Sequence, residues 1–177
     1  MSLPTNMLLK VATAVILAAV GVGFIASHLH AAWRSGEECA KVWFYDQSEK
    51  RLYEAPRDTV PPDKGIGGPS EDGVRAVVVA FRGEQSDLHK RRIAYLETHT
   101  PALKQLLDRA RDAHAAGRAF MERIPPRDSN YFRTNTLVKR VEETEWHLTG
   151  SAEGRAVMSE WQSWRGSGGQ PPIVCVP

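Results

Sequence analysis

The sequence predicts an α+β domain, a small and mostly antiparallel sheet with two or three packed helices, preceded by one transmembrane helix. An apolar N-terminal stretch has the length of a membrane span. Beyond it, β-branched and aromatic runs mark strands, and cap residues introduce stretches with helical spacing of apolar residues. The chain therefore divides into a tail at 1–9, a transmembrane helix at 10–32 and an extracytoplasmic domain at 33–177.

The predicted span is defined by an apolar run that extends over Met7–Leu29 and has no charged residue within Val11–Ser27. About 20 helical residues cross a hydrocarbon core about 30 Å thick. Lys10 before the run and Trp33 after it are typical of the two membrane interfaces. A cleaved signal peptide is the alternative, but it lacks a clear small-residue cleavage site. A short leader before a first span stays in the cytoplasm as a rule, which places the domain on the other side.

Overall charge indicates which partners are excluded. The chain has 23 Lys and Arg against 21 Asp and Glu, so it offers no concentrated basic surface. Nucleic-acid binding is therefore not expected. The length after the span, about 145 residues, suffices for one small hydrophobic core.

The first elements after the span are a hairpin and a long loop. Lys41–Asp46 and Arg51–Glu54 are short aromatic-rich runs separated by four polar residues, a pattern that predicts two paired strands. Residues 55–73 are rich in proline and glycine and predict a surface loop. The glycines at 65–68 have neither the preceding strand nor the following helix of a phosphate-binding loop, so they indicate no nucleotide site.

The centre of the domain is predicted from an apolar run and a cap residue. Gly73–Arg82 has the strongest strand pattern, and its continuous valines at 77–79 predict a central strand covered on both faces. Ser86 is then expected to cap a helix that extends to about Thr98.

The remaining elements are predicted in the same way. Thr100 followed by Pro101 opens a helix whose apolar positions recur every three or four residues until Pro125. Two strands are predicted at Asn135–Val141 and Glu145–Leu148, and a helix capped by Ser151 is predicted at 152–164. The tail at 165–177 is predicted to be flexible, with an edge strand at Ile173–Val176.

No pattern in the sequence indicates catalysis. There is no Gly-x-Ser-x-Gly motif, and neither cysteine has a Cys-x-x-Cys partner. The histidines beyond the span lack metal-ligand spacing. We therefore predict a protein that is not an enzyme, with no catalytic residue, no metal and no intrinsic cofactor. His28 and His30, at the end of the span, are candidate ligands for a pigment or haem of a partner complex, or simply interfacial histidines.

Small residues recur at intervals of four within the span. This spacing allows helix backbones to approach closely in lipid, although an alanine-rich anchor would show it too. The candidate helix-packing residues are Ala14, Ala18, Ala19, Gly23 and Ser27.

Aromatic side chains cluster just after the span. They could belong to the membrane interface, to the core of the hairpin or to a partner contact. These residues are Trp33, Trp43, Phe44 and Tyr45.

Two cysteines stand near opposite ends of the predicted domain, Cys39 and Cys175. In an oxidising compartment they could form a disulfide that contributes about 4 kcal/mol on the chain-entropy model. Two separate buried thiols are the alternative.

Several short sequence motifs resemble those of a family of small uncharacterised bacterial proteins with an N-terminal membrane anchor and an exported α+β domain. The resemblance covers most of residues 41–177 and rests on Trp43–Asp46, Gly73–Ala76, Tyr95–Pro101, Val138–Trp146 and Cys175–Pro177. Members often have a Cys-x-x-Cys after the central strand, which is missing here at 81–85. The resemblance therefore implies the architecture and no redox or metal role.

The leading functional hypothesis is a non-catalytic, single-span accessory subunit at the bacterial inner membrane, with its bulk on the periplasmic side. It would dock among other transmembrane subunits and lipid in a hetero-oligomeric complex, such as a photosynthetic or respiratory one. The alternatives are a stand-alone anchored binding or sensor domain, and an anchored enzyme without a recognisable motif.

Overall fold

The computed structural model describes residues 41–166 and 169–177, which form an α+β domain on one seven-stranded antiparallel sheet. The α+β class and the antiparallel sheet expected from the sequence are thereby confirmed for these residues. The predicted span at 10–32 lies outside these residues, and no helix among those described is long and apolar enough to cross a membrane.

The elements, in chain order within each type, are as follows. The strands are β1 Lys41–Asp46, β2 Arg51–Pro56, β3 Gly73–Ala80, β4 Arg92–His99, β5 Thr136–Lys139, β6 His147–Leu148 and β7 Ile173–Cys175. The helices are α1 Pro101–Ala115, α2 Asn130–Arg133 and α3 Ala152–Glu160, with 3-10 turns at Leu88–Lys90 and Trp161–Ser163.

Strand β3 occupies the centre of the sheet, as its valines predict. The order is β2-β1-β3-β4-β5-β6, and β7 pairs with the end of β3 at Val78–Ala80. Val74, Val78 and Val79 are each 1% exposed, because the strand has neighbours at both edges and cover on both faces. The predicted edge strand near the C-terminus is confirmed as β7.

The hairpin of β1 and β2 is confirmed in position and register. Lys41 pairs with Pro56 and Asp46 with Arg51, which leaves a four-residue connection at 47–50. Lys50 adopts a φ of 51°, the left-handed conformation that closes this turn. Strand β2 extends to Pro56, so the irregular loop begins after the predicted start at residue 55.

The proline- and glycine-rich loop is held by one carboxylate. Asp46 is 0% exposed and accepts hydrogen bonds from the backbone N–H groups of Glu49 (2.8 Å), Ile66 (2.5 Å) and Gly67 (3.2 Å). These bonds lower the pKa of Asp46 to about 2, with that from Glu49 contributing most. A Cβ at Gly65 would lie 2.3 Å from the same carboxylate, so glycine is required there.

The helix predicted from Ser86 to Thr98 is wrong. Asp87 caps only a 3-10 turn at Leu88–Lys90, and Arg92–His99 forms strand β4. Even-numbered residues 94, 96 and 98 are buried, whereas Tyr95, Glu97 and His99 lie on the other face. This alternation has the period of a strand, and pairing with β3 outweighs the local helix signal.

The long helix predicted to continue to Pro125 is too long. Thr100 caps α1 as expected, but the helix ends at Ala115. Gly117 follows with a φ of 62°, and the N–H of Arg118 donates to the carbonyl of Ala113. A left-handed glycine with such a return bond is a common helix terminator.

The C-terminal elements are confirmed but shorter than predicted. Strands β5 and β6 cover four and two residues, and α3 ends at Glu160 before a 3-10 turn. Helix α3 lies close to the sheet because Gly154 has no side chain. A Cβ there would lie 2.0 Å from the carbonyl oxygen of Leu148.

The two faces of the sheet differ in character. One face carries an apolar cluster of Val74, Ala76, Val78, Ala80, Leu96 and Cys175. The other, which we call the helix-covered face, contacts α1 and α3 and includes the polar side chains of Arg75 and Glu97. The charged residues of the central strands thus lie under the helices.

Substituting Gly154 tests the close approach of α3. Gly→Ala in a helix ordinarily stabilises by about 1 kcal/mol. Gly154→Ala should instead lower the free energy of unfolding by about 1–3 kcal/mol, because its Cβ overlaps the Leu148 carbonyl. Urea unfolding monitored by tryptophan fluorescence measures this. The control is Gly68→Ala, whose Cβ meets nothing within 4 Å; equal behaviour of the two variants would contradict the prediction.

The Asp46 carboxylate should contribute stability that depends on acid pH. Its folded pKa is about 2 against 3.8 ordinarily, so the contribution is complete above pH 4 and disappears as pH falls toward 2. Asp46→Asn should therefore be less stable than wild type at pH 7, and the difference should shrink between pH 4 and 2. Urea midpoints across this range measure it, and a constant difference would count against the assignment.

Candidate functional site

Most residues singled out in the sequence lie outside the described part of the chain. Among the others, Phe44 is 0% exposed and is therefore hairpin core. Trp43 and Tyr45 are partly buried against the apolar cluster, and the Arg91 guanidinium lies 5.3 Å from the Trp43 ring centroid. Those outside are Ala14, Ala18, Ala19, Gly23, Ser27, His28, His30, Trp33 and Cys39.

The disulfide between Cys39 and Cys175 stays a prediction, because Cys39 lies outside the described residues. Cys175 is 7% exposed in strand β7, and burial raises the pKa of its thiol. Within 41–166 and 169–177, no group of three or more His, Cys, Asp or Glu side chains could hold a metal ion.

The candidate site is a cavity of about 630 Å³ on the helix-covered face. Its floor is formed by β3, β4 and β5, and its walls by α1, α2, α3 and the segment 124–128. This volume falls within the range of about 300–1,000 Å³ that is typical of small-molecule sites.

Backbone pairing places two opposite charges on the cavity floor. Arg75 and Glu97 are direct partners in the β3–β4 register, so their Cβ atoms lie about 5 Å apart on one face. Both side chains are partly buried and line the cavity. Within the described residues, neither makes a hydrogen bond or an ion pair shorter than 4.0 Å.

Burial shifts the pKa values of both groups. Desolvation raises the pKa of Glu97, although the nearby guanidinium of Arg75 opposes the shift. Desolvation lowers the pKa of Arg75, the carboxylate of Glu97 opposes this shift, and the positive charge of Arg127 adds to it. For both groups, the loss of water outweighs the attraction between the two opposite charges.

His99 lies two residues after Glu97 in β4 and lines the same polar floor. It is the register partner of Thr136, whose Oγ1 lies 3.5 Å from the imidazole Nδ1. Desolvation, followed by the charge of Arg75, lowers the pKa of His99 to about 4. The imidazole is therefore neutral near pH 7 and can either donate or accept a hydrogen bond.

Apolar side chains cover the walls of the cavity. Ser129 caps the short helix α2 and thereby directs Phe132, which is 8% exposed, into the core. The hydroxyl of Thr100 donates to Asn135 Oδ1 (2.7 Å), which links the start of α1 to the end of α2. The apolar wall consists of Leu107, Ile124, Pro125, Phe132 and Met158.

Charged side chains form an exposed rim. Arg133 donates to the backbone carbonyl of Asp128 (3.0 Å), and Arg155 donates to that of Gly150. With Arg127, three exposed guanidinium groups surround the opening, against one exposed carboxylate at Asp128. The rim therefore attracts anions, but water hydrates it when the cavity holds no ligand.

A second cavity, of about 660 Å³, is a weaker candidate. One of its cations is already paired, because Arg140 donates to Glu143 (2.5 Å) and to Glu160 (2.7 Å). These three groups have less to gain from a ligand than Arg75 and Glu97 have.

The described residues show no close pair of nucleophile and base on the floor. The 3.5 Å separation of Thr136 and His99 exceeds the reach of about 2.6–3.2 Å of a nucleophile and its base. Within the described residues, no carboxylate makes an ion pair with His99 that would orient the ring.

Sequence reasoning missed the floor residues, although two signals were present. Arg75 is a charged residue within an otherwise apolar central strand. Tyr95, Glu97 and His99 alternate with Ala94, Leu96 and Thr98, which indicates a strand with one polar face. With Arg92–His99 assigned to a helix, the pairing of Glu97 with Arg75 could not be inferred.

No protein-family model, curated protein or solved structure matches this chain.

The low pKa of His99 can be measured directly. The ring should titrate with a midpoint near pH 4, because burial and the cations of Arg75, Arg127 and Lys104 disfavour the imidazolium. Stability that depends on neutral His99 is complete above about pH 6.5 and is lost as pH falls toward 4. NMR titration of the histidine rings, with His99→Gln to assign the signal, tests this. A midpoint near 6.5 would show that the ring is hydrated.

Proposed function

We propose that the α+β domain is a binding module that holds a small organic molecule in the cavity of the helix-covered face. The proposal develops the stand-alone binding or sensor hypothesis. One observation carries it: Arg75 and Glu97 lie partly buried on the floor of a cavity of about 630 Å³, with no hydrogen bond or ion pair among the described residues. Buried charges without partners are costly, and a ligand would compensate them.

The apolar wall supports a ligand with two ends. Phe132, Leu107 and Met158 provide hydrophobic surface opposite the polar floor. Sites for small molecules commonly combine such a lining with a few convergent polar groups that fix orientation. The ligand is therefore a molecule with an apolar body and a charged head.

We further propose that residues 10–32 hold this module at the bacterial inner membrane, with the module on the periplasmic side. The support is the uncharged run at Val11–Ser27. The likeness to the anchored bacterial family stays a prediction, as does the accessory-subunit hypothesis, which depends on Ala19, Gly23 and Ser27. A pigment or haem near His28 and His30 belongs to that same hypothesis.

Filling the cavity should abolish ligand stabilisation. The full-length protein in a mild non-ionic detergent is heated with a panel of small organic acids, amines and amino acids. At about 100 times its Kd, a cavity ligand should raise the Tm by about 5 °C or more. Met158→Trp should remove this shift, because the indole occupies the cavity.

The control is Met121→Trp, the same exchange at a methionine that is 91% exposed and lines no described cavity. It should keep the ligand shift of the wild type. If Met158→Trp fails to fold, the milder Leu107→Phe reduces the same cavity. The proposal is wrong if no compound stabilises the wild type, or if the cavity-filling variants respond as the wild type does.

A further inference from the structure

We infer that the ligand of this cavity is a zwitterion of the α-amino acid type with an apolar side chain. The inference rests on the proposed binding function and deepens it. It follows from the juxtaposition of one partly buried cation and one partly buried carboxylate, Arg75 and Glu97, in a cavity that also has an apolar wall.

The two floor charges are adjacent and attract each other, but they form no direct ion pair. They are register partners on neighbouring strands, yet no guanidinium nitrogen lies within 4.0 Å of the carboxylate. A ligand whose two charged groups are attached to the same carbon can bind between Arg75 and Glu97. Its carboxylate would accept a bidentate pair of bonds from Arg75, and its ammonium group would donate to Glu97.

A ligand with a single charge satisfies only half of this floor. A simple anion would compensate Arg75 but place a second negative charge beside Glu97, and a simple amine would do the reverse beside Arg75. Truncating or omitting one partner of a buried charge pair leaves the other uncompensated. The α-amino acid head group, in which carboxylate and ammonium share one carbon, matches the floor on both sides.

The rim does not decide the ligand charge, because its groups are exposed. Arg127, Arg133 and Arg155 remain hydrated with or without a ligand. They attract the carboxylate end toward the opening, whereas the selection between ligands occurs at the buried floor. His99 and Thr136 add a neutral hydrogen-bonding pair beside the head group.

The apolar wall selects the side chain of the ligand. Phe132, Leu107, Met158, Ile124 and Pro125 line the same cavity as the floor residues. A leucine- or phenylalanine-like group would bury its hydrocarbon surface there, at about 25 cal/mol per Å².

Three matched probes test the inference on the full-length protein in a mild non-ionic detergent. L-phenylalanine has both charges, hydrocinnamate lacks the ammonium group, and phenethylamine lacks the carboxylate. Isothermal titration calorimetry should show that L-phenylalanine binds at least roughly 30-fold more tightly than either of the others, the effect of losing one buried charge partner.

Two variants assign each end of the probe to a floor residue. Glu97→Gln should remove the preference for L-phenylalanine over hydrocinnamate, and Arg75→Gln should remove the preference over phenethylamine. Arg75→Lys, which keeps the charge but not the bidentate geometry, replaces Arg75→Gln if that variant does not fold. Glu145→Gln and Arg118→Gln, at exposed residues outside the cavity lining, should leave both preferences unchanged.

The outcomes separate this inference from the proposed function. Hydrocinnamate that binds as tightly as L-phenylalanine overturns the zwitterion and shows a site for simple anions, with the binding module intact. The inference is also overturned if no apolar amino acid binds while a compound with a single charge gives a stabilisation that Met158→Trp abolishes. If no compound binds at all, both the zwitterion inference and the proposed binding function are wrong.

Discussion

The register between β3 and β4 is the constraint on which the rest of the domain depends. It pairs Ala76 with Leu96 on the apolar face and Arg75 with Glu97 under the helices. Because side chains alternate along a strand, a slip of one residue would exchange the two sets. The register shifts by one residue between Val77, which pairs with Tyr95, and Val78, which pairs with Ile93, so that Ala94 has no partner in β3. This bulge places Ile93 next to the apolar cluster that contains Val78.

Burial, more than the number of charges, distinguishes the floor of the cavity from the rest of the polar surface. Arg140 meets Glu143 and Glu160, and Asp46 meets three backbone N–H groups, so these residues have partners within the chain. Arg75 and Glu97 have neither such partners nor full access to water. A domain with a small core retains such a cost where binding offsets it, which is the usual relation between stability and function at binding sites.

The sequence was sufficient where a local pattern and the tertiary environment agree. The valines of β3, the hairpin of β1 and β2 and the caps at Thr100 and Ser151 were all read from short stretches. Strand β4 was missed because its assignment depends on pairing with β3, which is a contact distant in the chain. The predicted end of α1 was too late, since the apolar spacing continues past Gly117 although the backbone reverses there.

The same dependence explains why the site was harder to predict than the fold. A core strand can be predicted from its own residues, whereas the cavity floor forms only when β3, β4 and β5 are aligned. Arg75 and Glu97 stand far apart in the chain, and each alone is typical of a solvated strand face. Their position in the cavity is determined by the β3–β4 register and by the helices that cover this face of the sheet. The polar alternation of β4 is therefore the local signal in this sequence that points to the cavity floor.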